Sequence, residues 1–333
     1  MTNKKFPLGE VQQLRLARMA KKVTGGLFKA VLLTGLCFVM LYPVLYILSY
    51  GFRSVSDLYN PSVVWLPRDF SLVPFEIAME TLDYWNSLSK TLLVLIPSVL
   101  FQLAATFLAG YGFSRAKFFG RGLMFGLLLF TIIVPAQTYI IPLYVNMKHF
   151  DWFGIGSLAG LFTGKQLVTN LLDQPALFWL QAIFGMGIRS GLCVFIVRQF
   201  FRGIPMELEE AAMIDGCGPV RTFLSVMLPN ARSLAATVLV FSVVFYWNDF
   251  TLTGIFFQTE FPLSVNLTNL RSLLGSTSQA VQGVAGISGQ DLLLLREPAL
   301  ACGCLLSILP IVLFYVLVQR NFIEGAERSG IVG

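Results

Sequence analysis

The sequence predicts an all-α membrane protein with six transmembrane helices. The first observation behind this prediction is composition: of 333 residues, 56% are hydrophobic and 13% are charged, and the mean hydropathy is +0.72. Soluble domains carry roughly 25% charged residues, so water is not the main solvent of this chain. The second observation is length, because a bilayer core of about 30 Å needs about 20 apolar residues per helix, and several uncharged windows reach it.

Six windows meet this length requirement. Four are free of internal charges, whereas the fourth contains Arg189 and the fifth contains Asp249. The predicted spans are Ala30–Phe52, Thr91–Ser114, Gly122–Met147, Pro175–Val197, Leu234–Phe257 and Pro298–Val318.

The distribution of basic residues predicts the orientation. Most of the 24 Lys and Arg residues fall on the side that holds both termini, and cytoplasmic segments of membrane proteins are enriched in these residues. Both termini are therefore expected in the cytoplasm. This bias accounts for the formal net charge of +6, so no nucleic-acid partner is expected. The first span exceeds a signal-peptide core and no small-residue cleavage site follows it, so we expect it to remain in the protein.

The sequence offers no catalytic or metal-binding group. His149 is the only histidine, which removes most zinc sites and Ser-His-Asp triads. Cys302 and Cys304 are two residues apart and do not share a helix face. The five cysteines are interpreted as small apolar side chains.

The segment 198–229, between the fourth and fifth spans, predicts two short helices. Pro205 suits a first helical turn, Glu207 and its neighbouring acids complement the positive end of the helix dipole, and Gly216 suits the helix end. After Pro219, apolar residues recur at helical spacing: Val220, Phe223, Leu224, Met227 and Leu228. A simple connection does not need two helices, so we expect this loop to dock on another protein. The alternative is an amphipathic loop on the membrane surface, which its acidic residues disfavour.

This loop resembles a known family motif. Glu210-Ala-Ala, Gly216 and Val226-Met-Leu-Pro229 are similar in type and spacing to the EAA loop of permease subunits of ATP-binding-cassette importers, with Val226 where Ile is usual. Further stretches resemble the carbohydrate branch of that family, the MalG-like maltose permease subunits, and the resemblance covers about residues 25–333. These stretches are Arg198–Pro205, Asp215, Gly110–Arg121, Val134–Tyr144, Trp247–Phe250 and the tail from Phe322.

The resemblance implies a type I importer permease fold in the bacterial inner membrane, with several spans. It also implies four kinds of partner: a second homologous permease, two ATPase subunits, an extracytoplasmic solute-binding protein that delivers a sugar, and membrane lipid. ATP is then used by the partner subunits, and no cofactor is expected in this chain. The segment from Pro205 to Asp215 would be the coupling helix, which lies in a groove of the ATPase. The coupling residues implied are Glu207, Glu210, Ala211, Ala212, Asp215 and Gly216.

Four segments follow from this interpretation. They are a cytoplasmic extension at 1–24, the first span with an extracytoplasmic segment at 25–87, the core transmembrane domain at 88–321 with the EAA loop at 198–229, and a cytoplasmic tail at 322–333.

Polar residues inside the spans are candidates for the solute pathway, because buried charges in a membrane usually face a partner or an aqueous cavity. Arg189 lines the pathway or forms a structural pair, and Gln137, after Pro135, has a packing role or lines the pathway. Asn248 and Asp249 contact the solute or hold the structure, and Trp247 offers a flat face for a sugar ring.

Other functions stay open. The same kind of permease can carry another solute delivered by a binding protein. A secondary transporter or channel explains the spans and intramembrane charges, although not the EAA loop. An intramembrane enzyme needs a catalytic constellation, and the predicted spans contain no H-E-x-x-H motif and no close carboxylate pair.

Overall fold

The computed structural model describes residues 8–164, 168–276 and 289–330. In these ranges the regular structure is helical, and the strand-like pairs are two isolated bridges, Arg53 with Phe70 and Phe150 with Thr169. The predicted all-α fold is confirmed. The first half contains α1 Leu8–Gly51, α2 Val55–Leu58, α3 Val73–Thr81, α4 Tyr84–Arg115, α5 Arg121–Ile133, α6 Ala136–Lys148, a 3₁₀ turn Trp152–Gly154 and α7 Ile155–Thr163. The second half contains α8 Ala176–Ile183, α9 Ser190–Gly203, α10 Glu207–Ile214, α11 Pro219–Thr222, a π-helical turn Phe223–Met227, α12 Leu228–Asn230, α13 Arg232–Asn248, α14 Thr251–Phe256, α15 Leu263–Ser276 and α16 Gly289–Gly330.

Residues 1–7, 165–167, 277–288 and 331–333 lie outside the described ranges; they belong to both termini, to the segment before the fourth predicted span and to the connection between the fifth and sixth predicted spans. Among the described ones, three helices are long and apolar enough to cross a membrane alone: Lys21–Gly51, Tyr84–Arg115 and Leu293–Gln319. Two bent helix pairs raise the number of candidates to five. The count of six spans stays a prediction.

The third predicted span is bent at Pro135. The helix axis changes direction by 103° between α5 and α6. Val134 is extended, with ψ at 119°, because a residue before proline avoids the helical region.

The fourth predicted span, Pro175–Val197, is not one helix, and that expectation is wrong. Helix α8 ends at Ile183 and α9 begins at Ser190. Gly185 and Arg189 between them have positive φ angles of 69° and 53°. The glycine-rich sequence permits this turn, and Arg189 lies at the break rather than midway along a continuous helix.

The fifth predicted span, Leu234–Phe257, is also interrupted. Helix α13 ends at Asn248, Asp249 is extended with ψ at 110°, and α14 begins at Thr251. The described part of this region is therefore a long helix followed by a separately capped short one.

Helix α4 lies at the centre of the bundle, in contact with α8, α9, α13 and α15. Its approach to α9 is close at Gly110, where an added Cβ would lie 2.5 Å from Val197 Cγ1. Beside this contact, Phe107, Phe201 and Phe223 belong to one buried apolar cluster. A second cluster surrounds Phe178 of α8 and includes Val99 of α4 and Val243 of α13.

We expect Gly110→Ala to destabilise the chain, because the added methyl group overlaps Val197 and overpacking costs about 1–3 kcal/mol. The matched control is Gly112→Ala on the same helix, where nothing lies within 4 Å of an added Cβ and alanine favours the helix by about 1 kcal/mol. Thermal unfolding of the purified chain measures both. Equal midpoints for the two variants would contradict the close contact of α4 and α9.

Candidate functional site

Helix α10 forms where the sequence predicts a short helix, and it has two distinct faces. Glu209 and Ala212, three residues apart, are buried, whereas Glu207, Glu210, Ala211 and Asp215 are exposed. Among the residues that the resemblance assigns to coupling, Ala212 therefore faces inward.

The outward face of α10 is apolar with acidic neighbours. Met206, Met213 and Ile214 expose 50%, 53% and 86% of their surface. Glu210 follows Met206 by four residues and precedes Met213 by three, so these three side chains lie on the same side of the helix. Exposed apolar side chains in such a group mark an interaction surface. We call Met206, Glu210, Met213 and Ile214 the outward face of α10.

The end of α10 is fixed by Gly216. Its φ is +82°, its N–H donates to Met213 O at 3.0 Å, and the N–H of Cys217 donates to Ala212 O at 2.9 Å. This pair of bonds is the Schellman motif, in which a left-handed residue closes a helix and is usually glycine.

The second predicted helix of the loop is divided. Its apolar positions split between a buried pair, Phe223 and Met227, and an exposed pair, Val220 and Leu224. The buried pair packs with Phe201 of α9 and holds the loop against the bundle.

Sequence analysis missed the contact that holds α10 to the bundle. The Nε atom of Arg115, the last residue of α4, lies 2.7 Å from Oε1 of Glu209. The sequence predicts Glu209 only as one of several acids in a first helical turn. Its partner is far away in sequence, and no local signal indicates the pair.

The candidate pathway residues lie at the breaks of the spans. Gln137 is exposed in the first turn of α6, beside the bend at Pro135. Arg189 is exposed, and its guanidinium carbon lies 5.1 Å from the ring centroid of Phe245. Asn248, three residues after Phe245 on α13, is also exposed. Arg189 and Asn248 are thereby brought to one side of α13.

Asp249 has a structural partner in its own segment. Its Oδ2 accepts bonds from the N–H and the hydroxyl of Thr253, both at 2.8 Å, and its backbone oxygen accepts from the Ser264 hydroxyl at 2.8 Å. The carboxylate thus caps the start of α14. The spacing Asp249-x-x-x-Thr253, after a predicted helix, is the signal that could have indicated this cap.

Trp247 is buried, with 7% of its surface exposed. It lines an apolar groove of about 270 Å³ with Leu95 and Val99 of α4 and Phe314 of α16. Its ring therefore does not share the exposed side of Asn248, which argues against a role as a sugar platform.

A buried polar group, also missed, closes the break between α8 and α9. Gln102 of α4 is fully buried, and its Nε2 donates to Ile188 O and to Ser242 Oγ, both at 3.2 Å. The N–H of Ile188 donates to the hydroxyl of Tyr246 at 3.4 Å. These contacts supply hydrogen bonds that the interrupted helix lacks, as a bilayer requires.

A protein-family comparison matches residues 102–326 to the binding-protein-dependent transport system inner membrane component. The chain belongs to this family. The family consists of transport permeases, so the chain is not an enzyme but a multi-pass component of the inner membrane. The matched range begins at the buried Gln102 and includes the whole 198–229 loop.

Individual relatives extend over nearly the full chain. The maltodextrin transport system permease protein MdxG of Bacillus subtilis is 27% identical over 95% of this chain and 98% of its own length. The diacetylchitobiose uptake permease DasC of Streptomyces coelicolor is 23% identical over 88% of this chain and 92% of its own. A chain of a bacterial transporter that imports the acidic polysaccharide alginate has the same fold, with a TM-score of 0.71, 22% identity, and coverage of 91% of this chain and 98% of that one.

We expect Asp249→Ala to lower the free energy of unfolding by about 0.5–2 kcal/mol, because it removes the cap of α14. Asp249→Asn should remain close to wild type, since asparagine also caps helices. Denaturation of the purified chain in detergent distinguishes the variants. If Asp249→Asn is as unstable as Asp249→Ala, the negative charge, and not the cap, stabilises this segment.

Proposed function

We propose that this chain is one of two permease subunits of an ATP-driven importer, and that the outward face of α10 binds an ATPase subunit. The observation that supports this proposal most directly is the division of α10, whose inner face is paired with α4 while its outer face is apolar, acidic and uncovered. A short helix held in a groove transmits rigid-body movement to the helices that it joins.

The partners proposed are a second homologous permease, two ATPase subunits and an extracytoplasmic solute-binding protein. The first span supports the second permease or lipid as its neighbour, since none of its most apolar 18-residue window, which lies within Lys21–Gly51, is buried within the chain. Both termini and the 198–229 loop are placed in the cytoplasm, on the basis of the Lys and Arg distribution.

The solute proposed is a sugar or oligosaccharide. The names of MdxG and DasC, both of which align along most of their length, support this class. Gln137, Arg189 and Asn248 are the proposed pathway residues, because each is exposed beside a break in a predicted span. Asp249 and Trp247 are proposed to hold the pathway rather than to contact the solute.

We expect Gly216→Pro to prevent association of the ATPase, because proline fixes φ near −65° where Gly216 has +82°. The Gly216 N–H bond to Met213 O is also lost. The matched control is Gly218→Ala, since Gly218 has a φ of −70° and nothing lies within 4 Å of an added Cβ. The measurement is the amount of ATPase retained by the tagged chain.

Uptake is measured in cells whose native gene is deleted and which express the wild-type chain, Gly216→Pro or Gly218→Ala. Each strain is given a labelled maltooligosaccharide and a labelled amino acid. Wild type and Gly218→Ala should accumulate the sugar, and Gly216→Pro should not. Absence of an ATPase from the wild-type complex would refute the importer, and uptake of the amino acid alone would refute the sugar class.

A further inference from the structure

The inner face of α10 is joined to the bundle by a buried ion pair. The side chains of Arg115 and Glu209, 2.7 Å apart, expose 12% and 6% of their surface. One charged group of the long helix α4 therefore holds the carboxylate of the short helix α10.

Arg115 holds a second element at the same time. Its Nη2 donates to Ile204 O at 2.6 Å, and Ile204 is the residue that ends α9. One guanidinium thus contacts the end of α9 and the first turn of α10. The carbonyl end of α9 attracts the positive guanidinium of Arg115, and the first turn of α10 favours the negative carboxylate of Glu209.

The other ion pairs of the described residues differ from this one. Arg271 and Glu297 lie 3.0 Å apart with side chains 71% and 52% exposed, and Glu260, the partner of Lys90, is 66% exposed. Solvent screens such pairs. Removal of one partner of a buried pair instead leaves an uncompensated charge, so the geometry of the Arg115 contact is strongly favoured.

We propose that the Arg115–Glu209 pair is the joint through which movement of α10 is transmitted to α4. The inference rests on the proposed function, and it concerns positioning residues that do not themselves contact the ATPase. Helix α10 has eight residues, and the elements that it packs against are α11 and the π-helical turn of the same loop. The ion pair instead links it directly to α4, which contacts α8, α9, α13 and α15.

The test uses the complete complex, purified with its ATPase subunits, and hydrogen exchange measured with and without ATP and vanadate. In the wild type, we expect the nucleotide to change exchange both in α10 and at the Arg115 end of α4. In Glu209→Gln, the ATPase should stay bound and the change in α10 should remain, while the change in α4 is lost. A purely structural role would instead alter exchange in both helices independently of nucleotide.

Glu297→Gln is the matched control, since it makes the same chemical change in an exposed pair, and it should behave as wild type. A normal α4 response in Glu209→Gln overturns the joint, as does a change of exchange in both helices that is independent of nucleotide. If α10 of the wild type does not respond to nucleotide, the proposed function fails as well, and this outcome is distinct from the other two.

Discussion

A bilayer offers no water to unpaired backbone groups, and this constraint explains why the fold depends on α4. Helix α4 runs unbroken for 32 residues, and it supplies hydrogen bonds where other elements are interrupted. Gln102 serves the break after α8, Arg115 binds Ile204 at the end of α9, and Thr91 Oγ1 accepts the N–H of Leu263 at 2.8 Å. These three interruptions are therefore each stabilised by a side chain of one continuous helix.

The same helix connects the two candidate functional regions. Near the middle of α4, Gln102 bonds the segment between α8 and α9 that ends at Arg189, and Arg189 is an exposed candidate pathway residue. At its end, Arg115 fixes α10, whose outward face is the candidate coupling surface. On the proposed joint, a displacement of α10 would be applied to the helix that supports the proposed pathway, since packed elements move as rigid bodies.

Much of this architecture follows from local sequence. Composition predicts a helical membrane protein, and Glu207 with Gly216 predicts α10. Hydropathy windows instead predict continuous spans where the chain is broken, because an average over about 20 residues is insensitive to a turn such as the one at Gly185. The pairing of Glu209 with Arg115 is not predictable from one sequence, since it depends on how distant helices pack.

The most direct test of the account is photo-crosslinking from the two faces of α10 in intact membranes. A photoreactive amino acid at Ile214, which is 86% exposed, tests the outward face of α10. One at Ala212, which is 7% exposed, tests the inward face. Ile214 should form a crosslink that mass spectrometry identifies as an ATPase subunit, whereas Ala212 should crosslink only within this chain. Crosslinks from Ile214 to lipid, or to this chain alone, would contradict a coupling role for α10.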